Sequence, residues 1–138
     1  CVGADKEAKT YRIKAYARLS SLIEMKRSLL LNGPFLAGVQ VFNSWFNKAA
    51  SRTGIIPMPQ DSEEAVGGHA ICIAGYDDGK KIFKFKNSWG ASWGDKGYGY
   101  LRYEYIRKYC QDSWSATDLI VDVTSLVRIR EEVLKNYV

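Results

Sequence analysis

Apolar and polar residues alternate in several short stretches of this chain, and one stretch between them has a helical period. The β-favouring runs TYRIKAYARL (residues 10–19) and FLAGVQVF (residues 35–42) predict two strands. The segment LIEMKRSLLL (residues 22–31) follows Ser21 and contains Glu24 at the spacing of a capping box, which predicts a helix that begins there. An Asn-Gly-Pro sequence then ends this helix, because proline cannot continue it.

The next segment, residues 42–68, has no sustained period. Two prolines and a glycine pair interrupt any regular pattern, so this segment is predicted to be a loop. Near the end of the chain, residues 117–123 (TDLIVDV) predict a strand and residues 125–138 predict a helix. We expect this tail to dock on its own domain, because an isolated helix of that length is marginal in water.

Two further strands, HAICIAGY (residues 69–76) and IFKFKN (residues 82–87), are predicted on either side of a DDGKK turn. Gly79 is expected to supply a positive φ in that turn. Because side chains alternate between the two faces of a strand, His69 shares a face with two isoleucines and Asn87 shares a face with two phenylalanines. An antiparallel hairpin therefore brings His69 and Asn87 to the same end of the pair, on its apolar side.

The composition is that of one globular domain. The 138 residues are 46% hydrophobic, which is enough for a single core. The net charge of +5 comes from 20 basic and 15 acidic residues scattered along the chain, without the cluster typical of nucleic-acid binding. No apolar run approaches the roughly 20 residues that span a bilayer, and the N-terminus lacks the layout of a secretion signal. We therefore expect neither nucleic acid nor a membrane as a partner.

His69 is the only histidine, and the three cysteines are at positions 1, 72 and 110. These residues lack the CxxC or paired-histidine spacing of a zinc site, so no metal and no other cofactor is expected. Strand alternation points Cys72 to the face opposite His69. From the residues alone, His69 and Asn87 are either a locally satisfied hydrogen-bonding pair or part of a polar site at the end of the sheet.

The segments GGHAICIAGYD and FKNSWGASWGDKGYGYL closely resemble the histidine and asparagine segments of papain-like cysteine peptidases. The resemblance extends back through LLLNGPFLAGVQVF and covers most of residues 10 to about 115. It implies that His69 is the general base and imidazolium partner of a cysteine nucleophile, and that Asn87 orients the imidazole ring. By the same resemblance, Trp89 shelters the hydrogen bond between these two side chains.

Papain-like peptidases carry their nucleophile in a Cys-Gly-Ser-Cys-Trp-like motif well upstream of the histidine, and this chain has no such motif. Cys1 lies too close to the histidine, and Cys110 follows the asparagine, which is the wrong order. The resemblance therefore implies the right lobe of a two-lobed peptidase, with an α+β fold made of an antiparallel, β-rich sheet and one or two packed helices. Residues 1–117 are assigned to this lobe, and residues 118–138 to a C-terminal strand and helix extension.

The function implied by this resemblance is hydrolysis of peptide bonds through a Cys-His-Asn set. The nucleophile and an oxyanion glutamine would lie in a half that is not present in this chain, so the chain alone is expected to be inactive. Its partners would be a peptide or protein substrate and the missing N-terminal lobe, or a second chain, covering the lobe interface. The alternatives are a catalytically inactive lobe that acts as a protein-binding module and an unrelated binding function.

The resemblance also implies a substrate subsite. Gly38, Gly68 and Ala70 match the positions that line the main specificity pocket, which accepts the substrate residue two before the cut. Because all three side chains are small, the pocket is expected to be roomy and uncharged, and to favour a large apolar side chain.

Overall fold

The fold is given by a computed structural model that describes residues 13–118. Within this range, Tyr16–Ala116 form one compact unit. The helix predicted over residues 125–138, and the strand before it from residue 119 onward, lie outside the described residues. In the described part of the chain, no helix has the length and apolarity needed to cross a membrane.

The described residues form six strands, three α-helices and one 3-10 helix. In chain order these are β1 (Ile13–Arg18), α1 (Leu22–Leu31), β2 (Phe35–Phe42), the 3-10 helix (Asn43–Phe46), α2 (Lys48–Thr53), β3 (Ala65–Asp77), β4 (Ile82–Lys86), β5 (Tyr98–Arg102), α3 (Tyr103–Tyr109) and β6 (Cys110–Asp118).

The six strands belong to one sheet in the order β1, β6, β2, β3, β4, β5. The pairings of β6 with β2, β2 with β3, β3 with β4 and β4 with β5 are all antiparallel. On β2 and β3, Phe35 lies opposite Ile73 and Val39 lies opposite His69. The antiparallel sheet with few helices confirms the α+β class predicted from the sequence.

One face of the sheet is buried, and it carries the apolar positions of the alternating strands. In β2, Ala37, Val39 and Val41 are buried whereas Leu36 is exposed. The core also takes large side chains from the other elements: Met25, Phe42, Trp45, Ile71, Ile73, Phe83, Phe85, Trp93, Leu101, Tyr105 and Ile106. Burying each such side chain contributes about 1.5–3 kcal/mol. Because a slip of one residue would expose the whole apolar set, the core fixes the register that positions His69.

The predicted helix and the strand after it have the predicted bounds. Helix α1 begins with the capping box, in which Ser21 Oγ accepts the Glu24 N–H at 3.2 Å and Glu24 Oε2 accepts the Ser21 N–H at 3.1 Å. The reciprocal bonds satisfy amide groups that the first helical turn leaves without partners.

The loop predicted over residues 42–68 is wrong in part, because the segment contains the 3-10 helix and α2. Asn47 caps α2 by accepting the Ala50 N–H at 2.7 Å, and Gly54 ends it in the left-handed region with φ 73°. Strand β3 begins at Ala65, before the predicted start at His69, because Ala65, Gly67 and Gly68 also pair with β2. Helices this short depend on their caps and on packing more than on any period in the sequence.

The turn between β3 and β4 also differs from its prediction. Lys81, with φ 57°, occupies the left-handed region instead of Gly79. The Asp77 carboxylate accepts the Lys80 N–H at 2.9 Å and stabilises the turn locally.

Candidate active site

His69 and Asn87 are hydrogen bonded to each other at the end of the β3–β4 pair. Nε2 of His69 lies 2.9 Å from Oδ1 of Asn87, and the Ser88 N–H donates to the same oxygen at 2.9 Å. Because a backbone amide can only donate, the shared Asn87 atom is an oxygen, and the His69 Nε2 must carry the proton. Among the described residues, no hydrogen bond reaches Nδ1, which leaves that nitrogen available as a base.

Asn87 is held rigidly by its surroundings. It follows Phe83 and Phe85 on the buried face of β4 and is only 4% exposed. Its backbone N–H donates to the Gly97 carbonyl at 2.9 Å. Its side-chain Nδ2 is buried and has no hydrogen-bond partner within residues 13–118. An unpaired buried polar group costs about 1–3 kcal/mol, so a fold that retains one at this position favours a functional role for the amide.

Aromatic rings cover the His69–Asn87 contact. The indole of Trp89 stacks on the His69 ring with a centroid distance of 5.0 Å and an angle of 21°. Phe46 stacks on Trp89 in turn, at 5.5 Å and 23°. The edge of Trp93 also meets Trp89, at 5.3 Å and 88°. This arrangement excludes water from one side of the imidazole and fixes the plane of its ring.

Trp45 supports the site from within the core. Its ring is completely buried and meets the His69 ring edge-on, with a centroid distance of 6.2 Å. The Trp45 Nε1–H donates to the Tyr105 hydroxyl at 2.7 Å, and that hydroxyl donates to the Gln40 carbonyl at 2.7 Å. Sequence reasoning missed Trp45, Phe46 and Tyr105, although the adjacent aromatic residues in the polar stretch NSWFN could have indicated a segment that packs against the site.

We expect Tyr105→Phe to lower the free energy of unfolding by about 1–2 kcal/mol, because the Trp45 indole N–H would lose its buried partner. Urea unfolding of the 138-residue chain measures this change. Tyr16→Phe is the matched control, since the Tyr16 ring is 70% exposed, and its effect should stay within about 0.5 kcal/mol. A Tyr105→Phe variant as stable as the Tyr16→Phe variant would show that the hydrogen bond contributes nothing.

The family of the chain follows from comparison with known proteins. A model of the papain family cysteine proteases matches residues 1–117. The chain belongs to the papain family of cysteine proteases. It is 34% identical over 135 residues to an uncharacterized peptidase C1-like protein of Acanthamoeba polyphaga mimivirus, covering 88% of this chain and 43% of that protein. It is 31% identical over 105 residues to chymopapain from Carica papaya, covering 74% of this chain and 28% of that protein.

Solved structures give the same result. Xylellain, a cysteine protease from Xylella fastidiosa, matches with a TM-score of 0.76 and 33% identity, over 87% of this chain and 46% of that chain. A procathepsin B from Trypanosoma congolense matches with a TM-score of 0.60 and 25% identity, over 78% of this chain and 37% of that chain. This papain-family chain thus spans less than half the length of these four relatives.

Neither described cysteine is placed to act as the nucleophile of a papain-family site. Cys72 alternates with the buried Ile71 and Ile73, so it points away from the face that carries His69. Cys110 lies on β6, where it is separated from His69 by Val39 of the intervening strand, roughly 10 Å across the sheet. Burial raises the pKa of the Cys72 thiol. Burial, followed by the Asp112 carboxylate, raises the pKa of the Cys110 thiol to about 11, so both thiols are protonated near neutral pH.

The three small residues of the expected subsite lie on the face of the sheet opposite the core and His69. Gly38 of β2 is opposite Ala70 of β3, and Gly68 is two residues before Ala70 on the same strand. The expectation of an uncharged surface is wrong, because the Asp112 carboxylate covers Gly38. Asp112 Oδ1 lies 2.5 Å from the position that a Cβ of residue 38 would occupy. The register of β6 against β2, which brings Asp112 there, could not be read from the sequence.

Proposed function

We propose that this chain is part of a papain-like cysteine peptidase that hydrolyses peptide bonds through a Cys-His-Asn set. The observation that carries the proposal is the pair His69 Nε2–H to Asn87 Oδ1, covered by Trp89, with Nδ1 of the same ring unpaired among the described residues. The nucleophilic cysteine and the oxyanion donor would belong to a part of the protein outside these 138 residues.

Before the reaction, the cysteine thiol carries its proton and His69 carries one proton, on Nε2. A thiol of the missing cysteine transfers its proton to Nδ1 of His69, and the resulting imidazolium stabilises the thiolate. The thiolate sulfur attacks the peptide carbonyl, the C–N bond breaks, and the proton on Nδ1 passes to the leaving amine. Water then loses a proton to Nδ1 while its oxygen attacks the thioester carbon. The C–S bond breaks, which releases the acid, and the proton on Nδ1 passes to the sulfur to restore the thiol.

Asn87 is suited to orient the ring through this cycle. Its oxygen accepts the Nε2 proton, which keeps the reactive nitrogen, Nδ1, aimed in one direction. A neutral amide does so without adding a negative charge that would compete with the thiolate for the imidazolium. Trp89 strengthens the contact by keeping water out of it.

The sheet face opposite the core supports the proposal of a second lobe. Three large apolar side chains are exposed there: Tyr16 at 70%, Leu36 at 60% and Trp114 at 38%. They form one cluster, because Leu36 pairs with Trp114 across β2 and β6, and the Tyr16 and Trp114 rings are 5.9 Å apart. Clustered exposed aromatics are typical of a surface that another domain covers. We propose that the missing lobe, or a second chain, packs on this cluster. Its nucleophile must also reach Nδ1 of His69, whose ring is on the core face.

Residues 1–117 would form the lobe and residues 118–138 an extension of it. The family model ends at residue 117, which supports this boundary.

Two samples test the proposed function. The native protein at its natural length should cleave fluorogenic peptides, and iodoacetamide should abolish the cleavage. The 138-residue chain should cleave none, since His69 and Asn87 supply neither nucleophile nor oxyanion donor. Cleavage by the short chain that stops when Cys72 or Cys110 is alkylated would contradict the placement of the nucleophile. A native protein without activity would instead support the inactive binding module.

A further inference from the structure

We propose that Asp112 makes the main substrate subsite selective for a basic side chain, lysine or arginine, at the substrate residue two before the scissile bond. This inference rests on the proposed function and names the substrate class of the same site. It replaces the large apolar side chain that the small residues alone suggest.

A β-bulge brings Asp112 into the subsite. Gly38 of β2 pairs with Asp112, but the next residue, Val39, pairs with Cys110. Gln111 is therefore an extra residue in β6, and two consecutive residues of the bulged strand oppose a single residue of its partner. Bulges change the direction of side chains, and this one lies against the strand that carries Gly38.

The side chains of the bulge reach over the small residues of the neighbouring strands. Asp112 Oδ1 lies 2.5 Å from the position of a Cβ on Gly38. Gln111 Oε1 lies 3.7 Å from the position of a Cβ on Gly68. Ala70, opposite Gly38 on β3, is exposed beside them. The subsite thus has a floor without large side chains and two oxygen acceptors above it, one of them charged.

The Asp112 carboxylate has no cationic partner in the described part of the chain, where the salt bridges involve other carboxylates. Its Oδ2 accepts the Trp114 Nε1–H at 3.4 Å, which orients the carboxylate and leaves Oδ1 above Gly38. An apolar substrate side chain at this position would remove water from Oδ1 and would offer no hydrogen bond in its place, which is unfavourable.

A lysine or arginine side chain satisfies the same surface. Its methylene stem can lie along Ala70, beside Gly38, while its charged head binds Oδ1 of Asp112. The Gln111 amide oxygen adds a second acceptor for the several N–H donors of a guanidinium. Charge complementarity and the open floor therefore both favour a basic residue.

The test compares two fluorogenic peptides that differ only in arginine or leucine at the residue two before the cut. With the native protein, we expect kcat/KM to be at least about 10-fold higher for the arginine peptide, as for a hydrogen bond to a charged group. Asp112→Asn should reduce this ratio about 10-fold, and Asp112→Glu should restore most of it. Higher salt should lower the ratio of the native protein but not that of Asp112→Asn.

Asp95→Asn is the matched control. It makes the same change of charge at the far edge of the sheet, beside the edge strand β5. Its arginine-to-leucine ratio should equal that of the native protein. Cleavage of both peptides without an arginine preference, or with a ratio that Asp112→Asn does not change, overturns the inference and leaves the proposed function intact. If the native protein cleaves neither peptide and has no alkylatable active thiol, the proposed function fails and the inference fails with it.

Discussion

His69→Ala is expected to lower kcat/KM of the native protein by at least about 10³-fold, because the thiolate would lose both its proton acceptor and its imidazolium partner. Stability should change far less, since His69 is only half-buried and contributes its ring mainly to the stack with Trp89. Peptide cleavage gives the first quantity and thermal unfolding the second. A variant that retains a tenth of the activity would contradict the proposed role of His69.

Asn87→Ala distinguishes an orienting role from a merely structural one. Turnover should fall by about 10- to 100-fold, less than for His69→Ala, because the ring remains present but is no longer held. The loss should fall mainly on kcat rather than KM. Because the Nδ2 group of Asn87 is already buried without a described partner, its removal also relieves a desolvation cost and offsets the lost contact. A Tm near that of the unmodified protein with a reduced kcat is therefore the expected result.

The proximity of His69 and Asn87 could be predicted from the sequence because it depends on local rules. Strand alternation placed His69 and Asn87 on the apolar face, and the short connection between β3 and β4 limited them to one end of a hairpin. The structure has this arrangement, with a 2.9 Å bond between the two side chains. Helix α1 was predictable for the same reason, since its capping box lies within four residues of sequence.

The support of the site could not be predicted because it depends on contacts between distant segments. Trp45 and Tyr105 are 60 residues apart, and nothing in either neighbourhood specifies the bond between them. The bulge that turns Asp112 toward Gly38 likewise follows from the pairing of β2 with β6. Alternation gives the face of a residue along its own strand, whereas the neighbours on the next strand depend on register.

The loop between β4 and β5 carries Trp89 and Trp93, and its glycines determine whether these rings can reach the site. Gly94 has φ 61°, and its N–H donates to the Ser51 carbonyl at 2.7 Å. A Cβ at this position would collide with the Tyr98 carbonyl oxygen and would lie 3.1 Å from the Cα of Gly54, the residue that ends α2. The close approach of two backbones therefore anchors this loop against α2 and β5.

Gly94→Ala is expected to lower the free energy of unfolding by about 3 kcal/mol or more, which combines a left-handed backbone cost of roughly 1–2 kcal/mol with the displacement of rigid backbone. Gly90→Ala is the matched control in the same loop. Gly90 has φ 88°, but a Cβ there meets no atom within 4 Å, so only the backbone cost applies. Urea unfolding of both variants separates the two contributions. Equal losses for Gly94→Ala and Gly90→Ala would mean that the approach to Gly54 and Tyr98 relaxes freely and does not anchor the tryptophan loop.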